Sequence, residues 1–166
     1  AFILFFTLVV VVVFLIWRPS RSPLFPYTTL FRSYLDMLSY IKKYPISLFI
    51  ILTVIYLSFF KPPKTDLDEI PNLDKLVHVC MYLGMSGMLW LEFLRAHRRD
   101  NAPIWHAWVG AFLCPVLFSG CVELLQEYCT TYRGGDWLDF AANTTGAILA
   151  SLIAYYVVRP RMTNKQ

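Results

Sequence analysis

The sequence predicts an all-α integral membrane protein, a four-helix transmembrane bundle with an extra apolar run at its N-terminus. Three observations predict it. The 166 residues are 57% hydrophobic and 16% charged, against roughly 25% charged for a soluble domain. The apolar residues gather in runs of about 17–25, the length that crosses a bilayer as a helix. The basic residues sit in short clusters beside those runs, so the net charge of +4 is no nucleic-acid footprint. Composition and clustering together exclude a soluble enzyme, a disordered tail and a nucleic-acid-binding module. The first partner is the lipid bilayer.

Taken in order, the first native span covers about residues 44–60, between Lys42-Lys43 and Lys61-Pro62-Pro63, where the prolines stop a helix. The second covers about 76–94, interrupted by His78 and Glu92. The third covers about 105–125 and carries Glu123 near its end. The fourth covers about 137–158, polar at its start (Asp139, Asn143) and clean up to Arg159-Pro160, with 160–166 as a tail. Tyr44, Phe59, Trp105, Trp108, Trp137, Tyr155 and Tyr156 lie near span ends, as an interfacial belt does. Cys80, Cys114, Cys121 and Cys129 lack any C-x-x-C spacing, and three lie in apolar runs, where cysteine acts as a small hydrophobe.

Residues 1–33 stand apart. The run 2–17 is apolar but short, and 24–33 (LFPYTTLFRS) resembles the translation of a sequencing adapter. The expectation is that 1–33 is foreign to the protein, is left out of fold reasoning, and that the native chain starts at Met37.

Lys and Arg favour the cytoplasmic side of short loops. Lys42, Lys43, Arg95, Arg98, Arg99, Arg159, Arg161 and Lys165 fall on one side of a four-span arrangement. The other side holds Lys61, Lys64, Lys75 and Arg133, mixed with acidic residues. Both native termini are therefore expected in the cytoplasm. Counting 2–17 as a fifth span leaves the last four unchanged.

That orientation collects the polar residues at one face. Asp74 and His78 are one turn apart at the outer start of the second span. Glu123 and Gln126 close the third span on the same side. Asp136, Asp139, Asn143 and Gly146 open the fourth, within an arc of about 80° at 100° per residue. Each has a plainer role to weigh. Asp136 is a natural N-cap, with Asp139 in the first turn, and Asn72 or Asp74 would cap the second span. Gly146, with Ala142 and Ala150, suits close packing. Glu92 is expected to pair with Arg95 at the cytoplasmic end. His78 and Glu123 fit plain roles least, because an ionisable group inside a span costs roughly 2.5–3.5 kcal/mol on insertion scales.

The pattern Asp74-Lys75-x-x-His78, Glu123-x-x-Gln126, Arg133 and Asp136-x-x-Asp139-x-x-x-Asn143-x-x-Gly146 resembles the VanZ-like family of small bacterial membrane proteins. The resemblance covers residues 37–159. It departs from the family pattern at Trp137 and at Gly134-Gly135, without disturbing the spacing. It implies a four-helix protein of the bacterial cytoplasmic membrane, associated in the name-giving members with resistance to the glycopeptide teicoplanin. It implies no particular reaction.

Two classes of function compete. One is a site that binds or acts on a lipid-linked, anionic envelope substrate. There His78, Glu123 and Asp139 are the candidate catalytic residues, with His78 and Glu123 as acid–base pair. Lys75 and Arg133 would hold a phosphate, and Asp74, Gln126, Asp136 and Asn143 complete the binding set. The other is an accessory protein whose polar cluster orders the bundle or docks a partner. A metal set of His78, Glu123 and Asp139 ranks last, since one histidine with carboxylates is thin, so no metal or cofactor is assigned. A proton-coupled transporter fits poorly, because the cluster is far from the midplane. In a cysteine-free background, single cysteines at positions 66 and 133 should label from outside the cell, and those at 98 and 163 only after permeabilisation. The reverse pattern would put the cluster in the cytoplasm.

Overall fold

The computed structural model describes residues 42–59, 72–97, 102–129 and 134–163, and those residues are helical apart from short connections. The expectations for residues 1–33 and for Arg133 lie outside the described residues. No strand occurs among the described ones.

Among the described residues, four helices follow one another. Helix α1 is Pro45–Phe59 and α2 is Leu73–Ala96. Helix α3 runs as Trp105–Trp108, a wide π-helical turn Val109–Leu113, and Cys114–Cys129. Helix α4 runs as Trp137–Ile153, a second π-helical turn Ala154–Val158, and Arg159–Thr163. Helices α2, α3 and α4 are long and apolar enough to cross a membrane, while α1 is a shorter apolar helix. The protein is thus an all-helical, multi-pass membrane protein.

The two wide turns have a common cause. A proline in a helix lacks the N–H for residue i−4 and its ring crowds that carbonyl. Pro115 follows the first wide turn and Pro160 the second, so each helix widens ahead of its proline and then continues. The carbonyl of Ala111, four residues before Pro115, accepts instead from the buried Ser86 hydroxyl of α2. Helix α4 itself passes through Pro160 to Thr163, beyond the expected fourth span of about 137–158.

Side-chain ties give the topology. Ser86 meets α3 at Ala111 and Trp90 meets it at Trp108, their rings edge-on at 5.4 Å, so α2 and α3 are antiparallel. Lys75 meets Asp139, His78 meets Asn143, and Trp90 donates to Ser151 at 3.0 Å, so α2 and α4 run parallel. Their contact is close because it uses small residues. A Cβ on Gly146 would stand 2.3 Å from the Val79 carbonyl oxygen and 2.9 Å from the Leu83 nitrogen. Ala142, Ala147, Ala150 and Ala154 are buried along the same helix. Such small-residue seams let membrane helices approach where no hydrophobic effect drives them together. Many large apolar side chains point outward, among them Leu76, Leu83, Leu117, Leu124, Ile148 and Leu152, as a lipid solvent allows. Cys80, Cys114 and Cys121 are free, and Cys80 is exposed rather than buried.

Helix α1 is held at both ends by its neighbours. Its first residue, Pro45, suits a helix start because its missing N–H would be unpaired there. The next two amides, of Ile46 and Ser47, donate to the carboxylate of Glu92 on α2 at 3.0 and 3.1 Å. At the other end the Gln126 amide of α3 donates to the Ser58 carbonyl at 2.8 Å. The expected Glu92–Arg95 pair is therefore corrected. Glu92 is buried and neutralises the positive end of a helix dipole, whereas Arg95 is exposed.

Replacing Gly146 by Ala should force α2 and α4 apart and cost about 1–3 kcal/mol, the usual penalty of overpacking. Gly84→Ala, where a Cβ meets nothing within 4 Å, should stay within about 1 kcal/mol of the parent. Thermal unfolding in detergent compares the two, and equal melting temperatures would show that the α2–α4 contact does not limit stability.

Candidate functional site

The N-terminal ends of α2 and α4 and the C-terminal end of α3 meet at one end of the bundle, and the polar residues are there. Asp136 caps α4 as expected, its side chain accepting from the Leu138 amide at 2.9 Å. Asn72 precedes α2 in the left-handed region (φ 64°) and makes no side-chain cap. Asparagine tolerates that conformation better than most residues.

Lys75 projects from the first turn of α2 onto α4. Its ammonium bonds Asp136 at 2.6 Å and also the buried Asp139, and it lies 3.7 Å from Asp74. The Lys75 ammonium, and then the Leu138 amide, hold the Asp136 carboxyl below the usual carboxylate range. Lys75 thus compensates carboxylates of its own chain, and a phosphate at this position would compete with them.

One turn further along α2, His78 is buried. Its Nδ1 lies 2.9 Å from Asn143 Oδ1. The Asn143 amide group donates to Ser119 Oγ at 2.8 Å and reaches Glu123 Oε1 at 3.5 Å. Since a carboxylate only accepts, this fixes the amide with its oxygen toward His78, so His78 Nδ1 carries the proton. The other ring nitrogen, Nε2, lies 3.6 Å from Asp74 Oδ1 and 3.5 Å from Asp139 Oδ2. Glu123 is buried on α3. Its second oxygen accepts the Asp136 backbone amide at 3.1 Å, tying α3 to the cap of α4. Gly135 closes the turn there: its amide donates to Glu127 Oε2 at 2.9 Å, and a Cβ would fall 2.5 Å from the Glu123 carbonyl.

Of the residues expected from sequence, Asp74, Lys75, His78, Glu123, Asp136, Asp139 and Asn143 therefore join one network. Gln126, buried and bonded to Ser58, reaches toward α1. Ser119, which receives the Asn143 amide, was not expected from sequence. The available signal was helical spacing, since Ser119 is one turn before Glu123. The opposite end of the bundle is aromatic. Trp108 packs against Trp90, Phe112 and Tyr155, and Arg159 lies over the Tyr155 ring at 5.1 Å.

The VanZ/LLP1 family model matches residues 2–159. The chain belongs to the VanZ/LLP1 family. The match takes in α1 to α4 up to Arg159, and with them every described residue of the VanZ-like pattern. No curated protein and no solved structure matched the chain.

Removing Lys75 leaves Asp139 buried without its cation. Lys75→Met should cost up to about 3 kcal/mol, the lower end for breaking a buried pair because the lysine is part-exposed. Adding Asp139→Asn should recover much of that loss. A double-mutant cycle on melting in detergent measures the coupling, and strictly additive effects would show that the two groups do not compensate each other.

Proposed function

We propose that this protein uses the polar end of the α2–α3–α4 bundle to bind, and to act on, a lipid-linked anionic substrate of the cell envelope at the outer face of the cytoplasmic membrane. One observation carries the reading: side chains from three membrane-crossing helices converge in a continuous polar network from Lys75 through Asp139, His78 and Asn143 to Glu123. Buried ionisable groups are costly in a membrane helix and are retained where they serve a site.

In this reading His78 and Glu123 are the acid–base groups, with Asp139 beside the imidazole and Asn143 setting its tautomer. Asp74, Lys75, Asp136, Asn143 and Arg133 orient the head group, and Gln126 supports the wall toward α1. The family's association with teicoplanin resistance supplies the phenotype to examine first. The accessory reading is favoured by one specific observation: Glu123 also accepts the Asp136 amide, a bond that holds the α3–α4 turn.

Glu123→Gln and His78→Gln separate the two. Both keep a polar side chain of similar size, so a packing role tolerates them, whereas proton transfer depends on ionisation. The expected outcome is loss of the phenotype, read as glycopeptide susceptibility or a changed profile of lipid-linked precursors, with protein level and melting temperature within a few degrees of the parent. Retained function in both variants would overturn the acid–base reading. Loss that tracks lost stability would establish the accessory one.

A further inference from the structure

We infer that Asp74, His78 and Asp139 form a binding site for one divalent transition-metal ion of the zinc type. One ligand atom from each of the three lies within 4.8 Å of the others. The set differs from the sequence expectation in that Asp74 stands where Glu123 was considered.

The argument starts at Asn143. Its carbonyl oxygen lies on the His78 Nδ1 side of the ring, which leaves Nε2 turned toward Asp74 Oδ1 at 3.6 Å and Asp139 Oδ2 at 3.5 Å. The three atoms surround a point that a cation suits. The two separations match ligands bonded to a common ion at about 2.1 Å and subtending roughly 115°.

The surroundings are those of a ligand set. A metal-bound histidine characteristically donates its other ring N–H to an oxygen acceptor, which orients the ring; here that acceptor is Asn143 Oδ1. The two carboxylates are oriented in the same manner by Lys75. It takes Asp139 Oδ1 and lies near Asp74 Oδ2, the oxygens not directed at Nε2. Lysine thus leaves one oxygen of each carboxylate toward the histidine. Imidazole nitrogen with carboxylate oxygen favours a zinc-like ion over calcium or magnesium. Three protein ligands leave a fourth position for water or substrate.

This deepens the reading of the site as one for an anionic head group. A dication offsets the carboxylates that surround Lys75 and gives a phosphate oxygen a positive partner. With the ion bound, His78 is a ligand and Glu123 remains the acid–base group. The site itself rests on geometry and is measured without any activity.

The test uses the full chain, purified in detergent and stripped with a chelator, then titrated with Zn2+ by calorimetry and with Co2+ by visible absorption. One saturable ion per chain is expected, with the absorption of a low-coordinate cobalt centre. Asp74→Asn changes an exposed side chain and should keep the parent melting temperature without metal, yet weaken binding at least about tenfold. His78→Gln should weaken it at least as much. The absence of saturable binding by the parent, or unchanged affinity in both variants, would overturn the inference. Zinc binding with a glycopeptide phenotype that survives both variants would retain the metal site and remove the substrate reading.

Discussion

The structure depends on how closely α2 and α4 approach. At Gly146 the backbones are in contact with Val79 and Leu83, with no room for even a methyl group. That contact fixes the register of two parallel helices, and everything polar follows from it. One turn before Gly146 is Asn143, which meets His78, the residue beside Val79. Two turns before it is Asp139, which meets Lys75, one turn before Val79. A slide of one residue would turn each partner by about 100° and leave charges buried without compensation. Steric fit and electrostatics therefore specify the same alignment, the kind of agreement between levels that gives a fold one answer.

Lipid reverses the usual logic of burial. Many leucine, isoleucine and valine side chains face outward, while the interior mixes a few large residues, Trp90, Tyr82 and Met85, with alanine, serine, amide and carboxylate groups. Each interior polar group needs a partner, because no water reaches it. The partners fall into two zones. At one end, ionisable residues compensate each other in a network that spans three helices. At the other, aromatic rings with Ser151 fill the gap around Trp90 and Trp108, and the buried Glu92 binds the first amides of α1. The two proline-linked wide turns both lie toward that aromatic end, away from the ionisable network, so the site is carried on regular helix.

Much of this was legible in the sequence. Span positions follow from apolar length, and the shared depth of His78, Glu123 and Asp139 follows from the alternating direction of the helices. Periodicity places residues on the face of one helix and is silent on which neighbour that face meets. For this reason the sequence suggests Arg95, a turn away, as the partner of Glu92, which in the structure binds the start of α1 forty-five residues earlier. Gln126 shares a helix end with Glu123 but reaches toward a different helix. Sequence shows the charge of Lys75 and hides the two aspartates it bonds. Pro115 and Pro160 read as interruptions. The structure absorbs each by widening one turn, and at Pro115 a serine from α2 takes the released carbonyl.

The two grips on α1 have a consequence for biogenesis. A helix of fifteen residues, PISLFIILTVIYLSF, has little of its own to say where it belongs, since apolar side chains surround it. What locates it is Glu92 at its beginning and Gln126 near its end, and both are synthesised later than the helix they hold. While the chain emerges, α1 has neither its trans-supplied cap nor its anchoring amide until α2 and then α3 have entered the membrane. Its N-terminal amides gain their carboxylate with α2, and its C-terminal carbonyl gains its donor only with α3. Among the described helices, the earliest made is thus among the last to be fixed, and its placement reports that the two helices after it have arrived.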